Sequence, residues 1–329
     1  NYHKFYINGE WVDPEPGSST FDVIHPGNEE AIATIAMGTK PDVDKAVAAA
    51  NDAFKTFGFS TVDERVDLLE RILKAYEARG EEFIKMMPHE MGTTMSFSRE
   101  VHMPVGVGHL EAAIEALKAH DFERPSLRGG STLVDEPVGV VGMITPWNWP
   151  VNQIMIKVAP ALAAGCTMVL KPSEYSPLTS VMLAEVLDEA GCPPGVFNMI
   201  NGDGEGVGEP IASHPDIDMV SFTGSTRAGK AVTKAAADTI KRVSLELGGK
   251  SPNLLFADAD LPSAAKVSVD ACFINNGQSC DAASRLLVEK SVYDEVVSLV
   301  TKEVENCVVG DPMEEGEHIG PVVNKKQHD

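Results

Sequence analysis

Between residues 138 and 245 the chain alternates between two textures, and nothing else in it constrains the fold as tightly. Short apolar runs at Val138–Thr145, Thr167–Leu170, Val196–Ile200, Met219–Phe222 and Arg242–Leu245 are separated by helical stretches beginning near Pro150, Pro177, Gly204 and Thr226. Short apolar strands separated by helices of about 10–15 residues give parallel βαβ units with both sheet faces covered. The expectation is an α/β fold with a doubly wound parallel sheet, which binds ligands outside the carboxyl ends of its strands.

Two loops at such strand ends compete for a phosphate. Gly202-Asp203-Gly204-Glu205-Gly206-Val207-Gly208 departs from the GxGxxG fingerprint, because Glu209 stands where the last glycine belongs. Its acids also repel phosphate. The second loop, Phe222-Thr223-Gly224-Ser225-Thr226-Arg227-Ala228-Gly229-Lys230, nearly spells a P-loop, but Ala231 replaces the hydroxyl that would hold Mg²⁺. A dinucleotide pyrophosphate needs no Mg²⁺ on a helix N-terminus and suits this loop better. A nucleotidase built on this loop and on Asn253–Asp258 is the weaker alternative.

The flanks are of other kinds. Tyr6-Ile7 and Trp11-Val12 around Asn8-Gly9 read as a hairpin. Helical spacing covers Pro41–Phe57, Val62–Met87 and Arg99–His120, the last interrupted by Pro104 and two glycines. Asp121–Glu136 reads as an extended ribbon turning at Gly129-Gly130. After residue 246 come a strand at Asn253–Phe256, a helix over Leu261–Asn275, a strand at Arg285–Glu289 and a helix from Ser291. The expected division is an N-terminal β/helical part over 1–120, a ribbon over 121–137, a Rossmann-like part over 138–245 and a further α/β part over 246–329.

Composition removes several classes. With 27 Lys+Arg against 49 Asp+Glu, the net charge of −22 argues against nucleic-acid or anionic-membrane partners. The longest uncharged run, Pro137–Ile156, holds three prolines, two asparagines and a glutamine, so no membrane helix is expected. The five cysteines, Cys166, Cys192, Cys272, Cys280 and Cys307, form no CxxC pair and no metal spacing. They read as free thiols in a reducing cytoplasm. The histidines offer no metal site and read as surface or structural residues.

Three further segments stand far apart: Pro146-Trp147-Asn148-Trp149-Pro150, Leu245-Glu246-Leu247-Gly248-Gly249-Lys250 and Asn276-Gly277-Gln278-Ser279-Cys280. Together with Lys171-Pro172-Ser173-Glu174 and the Phe222–Ser225 loop, in this order, they resemble the NAD(P)-dependent aldehyde dehydrogenase superfamily. The likeness is to its hydrolytic, non-CoA-acylating branch. The resemblance implies Cys280 as the nucleophile, since a thiol adduct of an aldehyde gives up hydride far more readily than the aldehyde itself. It implies Asn148 and the Cys280 backbone N–H as donors to the resulting oxyanion. Glu246 becomes the base that activates water on the thioester, expected to be partly desolvated at its strand end. Relatives that pass the acyl group to coenzyme A typically lack this glutamate, so its presence implies a free acid product. Lys157 resembles a proton-relay lysine, with a surface lysine as the alternative.

For the cofactor, the resemblance places Lys171 and Glu174 at the adenosine ribose, where Glu174 would repel a 2′-phosphate. It therefore implies NAD, with NADP possible. Ser225 and the helix after Gly224 are implied at the pyrophosphate, Ile144, Thr145 and Trp147 along the cleft, and Ser173, Gly204, Phe222, Thr223, Gly224, Leu247 and Gly248 as further cofactor-binding residues. The implied substrate is a small aldehyde, and the implied assembly a homodimer or homotetramer joined through the ribbon. Family members continue well beyond a segment like Ile319–Asn324, so the resemblance also implies a fragment, and with it the alternative of a chain that binds a dinucleotide or a partner without turnover. Asp281, beside the nucleophile, would disfavour both the thiolate and a carboxylate-bearing substrate unless it pairs with Arg285.

Overall fold

The computed structural model describes residues 2–329. It opens with the expected hairpin, β1 (Phe5–Ile7) and β2 (Glu10–Val12), turned by Asn8 and Gly9 at φ 56° and 77°. A second hairpin, β3 (Ser19–Ile24) and β4 (Ala31–Met37), precedes α1 (Lys40–Phe57), whose N-cap Thr39 and Asp42 form a capping box. The stretch expected as one helix from Val62 is two, α2 (Val62–Ala78) and α3 (Gly80–Met91). The chain bends at Arg79, whose guanidinium is held by Glu82 at 2.9 Å and Glu185 at 3.0 Å.

After the short α4 (Met95–Phe97), a π-turn over Ser98–His102 runs straight into α5 (Met103–Ala119). The expected interruption at Pro104 is absent. Pro104 follows closely on the π-turn, and the widened turn there accommodates the missing N–H within a continuous helical run. Gly106 is needed because a Cβ there would lie 2.5 Å from the Tyr76 hydroxyl. The ribbon follows as β5 (Glu123–Pro125) and β6 (Thr132–Val134), with Gly129 and Gly130 both at positive φ.

The alternating region then gives β7 (Val140–Ile144), α6 (Pro150–Ala164), β8 (Thr167–Lys171), α7 (Leu178–Glu189) and β9 (Phe197–Met199). The helix expected near Gly204 is a five-residue π-turn, Gly204–Gly208, leading into the short α8 (Glu209–Ser213). β10 (Met219–Gly224), α9 (Thr226–Ala236) and β11 (Arg242–Leu247) complete it. The sheet order is β11-β10-β7-β8-β9-β1-β2, with five parallel strands and the first hairpin added antiparallel at one edge. From β7 the chain winds first towards β9 and then back to β10, so the order reverses beside β7.

Alternate strand residues feed two cores. Val141, Met143, Met168 and Leu170 pack with α2, α3, α5, α6 and α7. Val140, Val169 and Val220 face α1, α8 and α9. Each fully buried aliphatic side chain contributes about 1.5–3 kcal/mol, which makes this two-sided covering the main source of stability. Beyond β11, β12 (Pro252–Leu255) and β13 (Arg285–Val288) pair as a separate parallel two-stranded sheet, connected by α10 (Leu261–Gly277). With α11 (Tyr293–Glu305), they enclose a small core of Leu255, Leu261 and Val296. The chain closes on α12 (Lys325–His328).

Candidate active site

Two cavities lie at the carboxyl ends of β7 and β10, where the strand order reverses. One, of about 520 Å³, is lined by Ile144, Gly204, Gly208, Phe222 and Arg227 among others. The second, of about 330 Å³, collects Trp147, Asn148, Thr223, Gly224, Ser225, Leu247, Gly248 and Cys280. Residues from segments far apart in sequence therefore open on one edge of one sheet.

A polar cluster at the end of β8 stands apart from the lining of the first cavity. Lys171, at the end of β8, is buried, and its Nζ donates to the carbonyls of Gly202 at 2.6 Å and Pro172 at 2.8 Å. Glu174 Oε2 lies 3.4 Å from the same ammonium. Burial pulls the Lys171 pKa down, opposed by Glu174 and Asp203. Ser173 is buried and its Oγ accepts from the Tyr175 N–H at 3.3 Å. Asp203 caps the π-turn, accepting from Glu205 N at 3.1 Å and Gly206 N at 2.6 Å. Those two amides are satisfied internally, so Gly204 contributes open space beside the cavity. Ser225, which lines the second cavity, caps α9, accepting from Ala228 N at 3.2 Å, and α9 forms a wall of the first cavity. Arg227, which the sequence did not single out, supplies a cation there.

The loop that carries Cys280 is set by a break at the end of α10. Ile274 is extended, and Asn275, Asn276 and Gly277 follow at φ 53°, 60° and 72°. Asn and Gly are the residues that tolerate this left-handed region. Three amide side chains then pin the loop. Asn275 Nδ2 donates to the Asn148 carbonyl at 2.7 Å. Asn276 accepts from Gly320 N at 2.8 Å and donates to Gly92 O at 2.7 Å and Pro321 O at 3.1 Å. Gln278 Oε1 accepts from Val323 N at 2.9 Å. Asn148 Nδ2 donates to the Gln278 carbonyl at 2.8 Å, and Trp149 Nε1 to Ser279 Oγ at 2.8 Å. One hydrogen of the Asn148 amide is thus used, and the second is free.

Cys280 is partly exposed at the end of this loop. Burial pushes its thiol pKa up, and Asp281 and Glu246 push the same way, against the N–H groups of Cys280 and Asp281. Asp281 forms no ion pair with Arg285 among the described residues. The Glu246 carboxylate also acts on Lys157, so three elements bring Cys280, Glu246 and Lys157 within electrostatic reach. Lys157 is no surface lysine. It is buried on α6, donates to Ser221 Oγ at 2.9 Å, and burial lowers its pKa to about 8. The expected desolvation of Glu246 is not found: it is exposed, because β11 is the edge strand of the sheet.

Asn148 Oδ1 and Thr223 Oγ1, on residues lining the second cavity, are buried without a partner in the protein, as are Thr145 Oγ1 and both amide atoms of Asn201 outside the two cavity linings. Orphans of this kind mark where a polar ligand or water belongs. A polar, extended ligand across the β7–β10 crevice fits them, and a dinucleotide is such a ligand.

A doubly wound sheet with a polar cleft at its reversal point defines an architecture that binds ligands there, dinucleotides among them. The profile of the aldehyde dehydrogenase family matches residues 11–329, and the chain belongs to that family. It is 50% identical over 330 residues to a 3-succinoylsemialdehyde-pyridine dehydrogenase of a Pseudomonas species, covering 100% of this chain and 69% of the relative. A putative aldehyde dehydrogenase of Staphylococcus saprophyticus is 45% identical over 329 residues, with the same two coverages. Among solved structures, an aldehyde dehydrogenase of Bartonella henselae aligns with a TM-score of 0.97 at 48% identity, over 100% of this chain and 69% of that one. Aldehyde dehydrogenase C of Pseudomonas syringae, solved with NAD⁺ and octanal, aligns with a TM-score of 0.96 at 45% identity, over 99% of this chain and 67% of that one. The chain is thus related to NAD(P)-dependent aldehyde dehydrogenases throughout its length.

Proposed function

We propose that this chain oxidises an aldehyde to a carboxylic acid with NAD, through covalent intermediates on Cys280. The observation that carries the reading is the shared cleft of Cys280, Asn148 and Gly248, with Glu246 and Lys157 acting on it electrostatically. NAD, when bound, supplies the hydride acceptor. Lys171 and Glu174 would hold its ribose hydroxyls, and Ser225, Arg227 and the N-terminus of α9 would hold its phosphates. Glu174 favours NAD over NADP, since a 2′-phosphate would meet its carboxylate.

Cys280 gives its proton to solvent water and its sulfur bonds to the aldehyde carbon, moving the carbonyl π electrons onto oxygen. The free Asn148 N–H and the Cys280 backbone N–H take that charge, each such donor being worth roughly 3–4 kcal/mol. Once the carbon has lost hydride, it is a thioester on Cys280. Glu246 removes a proton from water, which attacks the thioester carbon and releases the acid and the thiol. Lys157, with a pKa of about 8, is poised to exchange a proton with Glu246 near neutral pH. Asp281, unpaired beside the thiol, would repel an anionic substrate, so we take the aldehyde to be uncharged. The octanal held by the Pseudomonas syringae neighbour is of that class.

A second reading draws on the exposure of Glu246 and of Leu254, Phe256 and Val308. In it the chain binds the dinucleotide without turnover. NADH absorbance with NAD and octanal, for wild type and Cys280→Ala, separates the two. The main reading requires turnover in the wild type and none in the variant, with NAD affinity retained. Turnover in the variant would refute it, and silence in both would favour the second reading.

A further inference from the structure

His102 is completely buried beside the nucleophile loop, and the chemistry above gives it no role. It ends the π-turn before α5. Its Nε2 lies 3.0 Å from Asn275 Oδ1. An amide oxygen only accepts, so Nε2 is the protonated nitrogen. Asn275 passes the constraint on, donating to the Asn148 carbonyl at 2.7 Å. Phe97 and Trp149 hold the imidazole from two sides, at ring separations of 5.3 and 4.5 Å. Burial keeps it neutral, with a pKa of about 4.

The residue that His102 grips is the first left-handed residue of the break that turns α10 towards Cys280. Fixing Asn275 therefore fixes two things together: the peptide joining Asn148 to Trp149, and the path of the chain into the thiol. We propose that His102 is a positioning residue for the nucleophile, acting through Asn275 on the Asn148–Trp149 peptide and on the turn that presents Cys280. The arrangement gives up some stability, because His102 Nδ1 is buried without a partner. An apolar residue would avoid that loss, but it would leave Asn275 Oδ1 without its donor and free to swing. The proposal rests on Cys280 being the reactive thiol, and its test keeps the two ideas apart.

The test uses the chain itself. The rate of Cys280 alkylation by iodoacetamide is followed by peptide mass spectrometry in wild type, His102→Leu, His102→Gln, Asn275→Ala and the His102→Leu/Asn275→Ala double variant. The N–H groups of Cys280 and Asp281 that support the thiolate move with the turn. His102→Leu is therefore expected to slow alkylation by about 10- to 100-fold, the usual cost of losing an outer-shell partner, with NAD affinity unchanged. The amide of Gln can donate to Asn275 and should restore most of the rate. In the Asn275→Ala background, His102→Leu should add nothing. Wild-type alkylation in His102→Leu, or no rescue by Gln, would overturn the proposal. If the Cys280→Ala variant still forms NADH from NAD and octanal, the functional reading fails instead. The imidazole ¹⁵N spectrum then decides for His102: a neutral Nε2–H ring between pH 5 and 8 supports the relay, and an Nδ1–H or titrating ring contradicts it.

Discussion

Lys157→Met should make the protein more stable at pH 7 while impairing its chemistry. The lysine is buried, and its pKa is lowered from 10.5 to about 8 by desolvation, against the pull of Glu246. Between those two values the unfolded chain binds a proton that the folded chain does not, so stability rises with pH across the window. Below pH 8 the full difference acts against the fold, about 3 kcal/mol at 1.36 kcal/mol per pKa unit. Methionine fills nearly the same volume and carries no charge. It gives up the 2.9 Å bond to Ser221, worth about 1 kcal/mol. The variant should therefore gain about 2 kcal/mol at pH 7, and the gain should vanish near pH 9.5. Urea unfolding of both proteins from pH 6.5 to 9.5 measures it. A variant less stable at pH 7, or a gap that does not narrow with rising pH, would refute the reasoning.

Glu90 makes the opposite kind of prediction. It is fully buried, accepts from Leu178 N at 2.6 Å and Thr179 N at 3.1 Å, and desolvation raises its pKa to about 7. A raised carboxyl pKa gives stability that is complete below the unfolded value and lost as pH rises through 7. Wild type should thus lose about 3 kcal/mol relative to Glu90→Gln between pH 4.5 and 8, read from paired urea titrations. Parallel curves would show that Glu90 ionises freely. At the nucleophile, Asp281 helps to hold the Cys280 thiol protonated. Asp281→Asn should shift the pH profile of Cys280 alkylation to lower pH, and an unmoved profile would place the Asp281 charge away from the sulfur.

The parallel sheet was legible because its strands are fully buried and carry little but apolar residues, as at Val140–Ile144 and Thr167–Lys171. Cys280, Asn148 and Glu246 were singled out through a family resemblance rather than from local spacing, and the structure brings Cys280 and Asn148 to one cavity. The network behind them was not legible. His102, Asn275 and Glu90 act through tertiary contacts 88 to 173 positions apart, which no local spacing encodes. Local signals also misled. A proline reads as a helix breaker, yet Pro104 follows a π-turn that accommodates it. The strand ending at Glu246 reads as buried, yet it lies at the sheet edge, and only the strand order reveals that. The Asn275-Asn276-Gly277 run did carry a signal for the break, since all three residue types tolerate positive φ.

The central claim is that aldehyde carbon passes through a covalent bond to Cys280. The most direct test is mass spectrometry of Glu246→Gln after mixing with NAD and octanal. Without its base the variant should stall after oxidation, forming one NADH per chain and holding one octanoyl group on the Cys280 peptide. NADH formed with no acyl group on Cys280, or an acyl group on another cysteine instead, would contradict it.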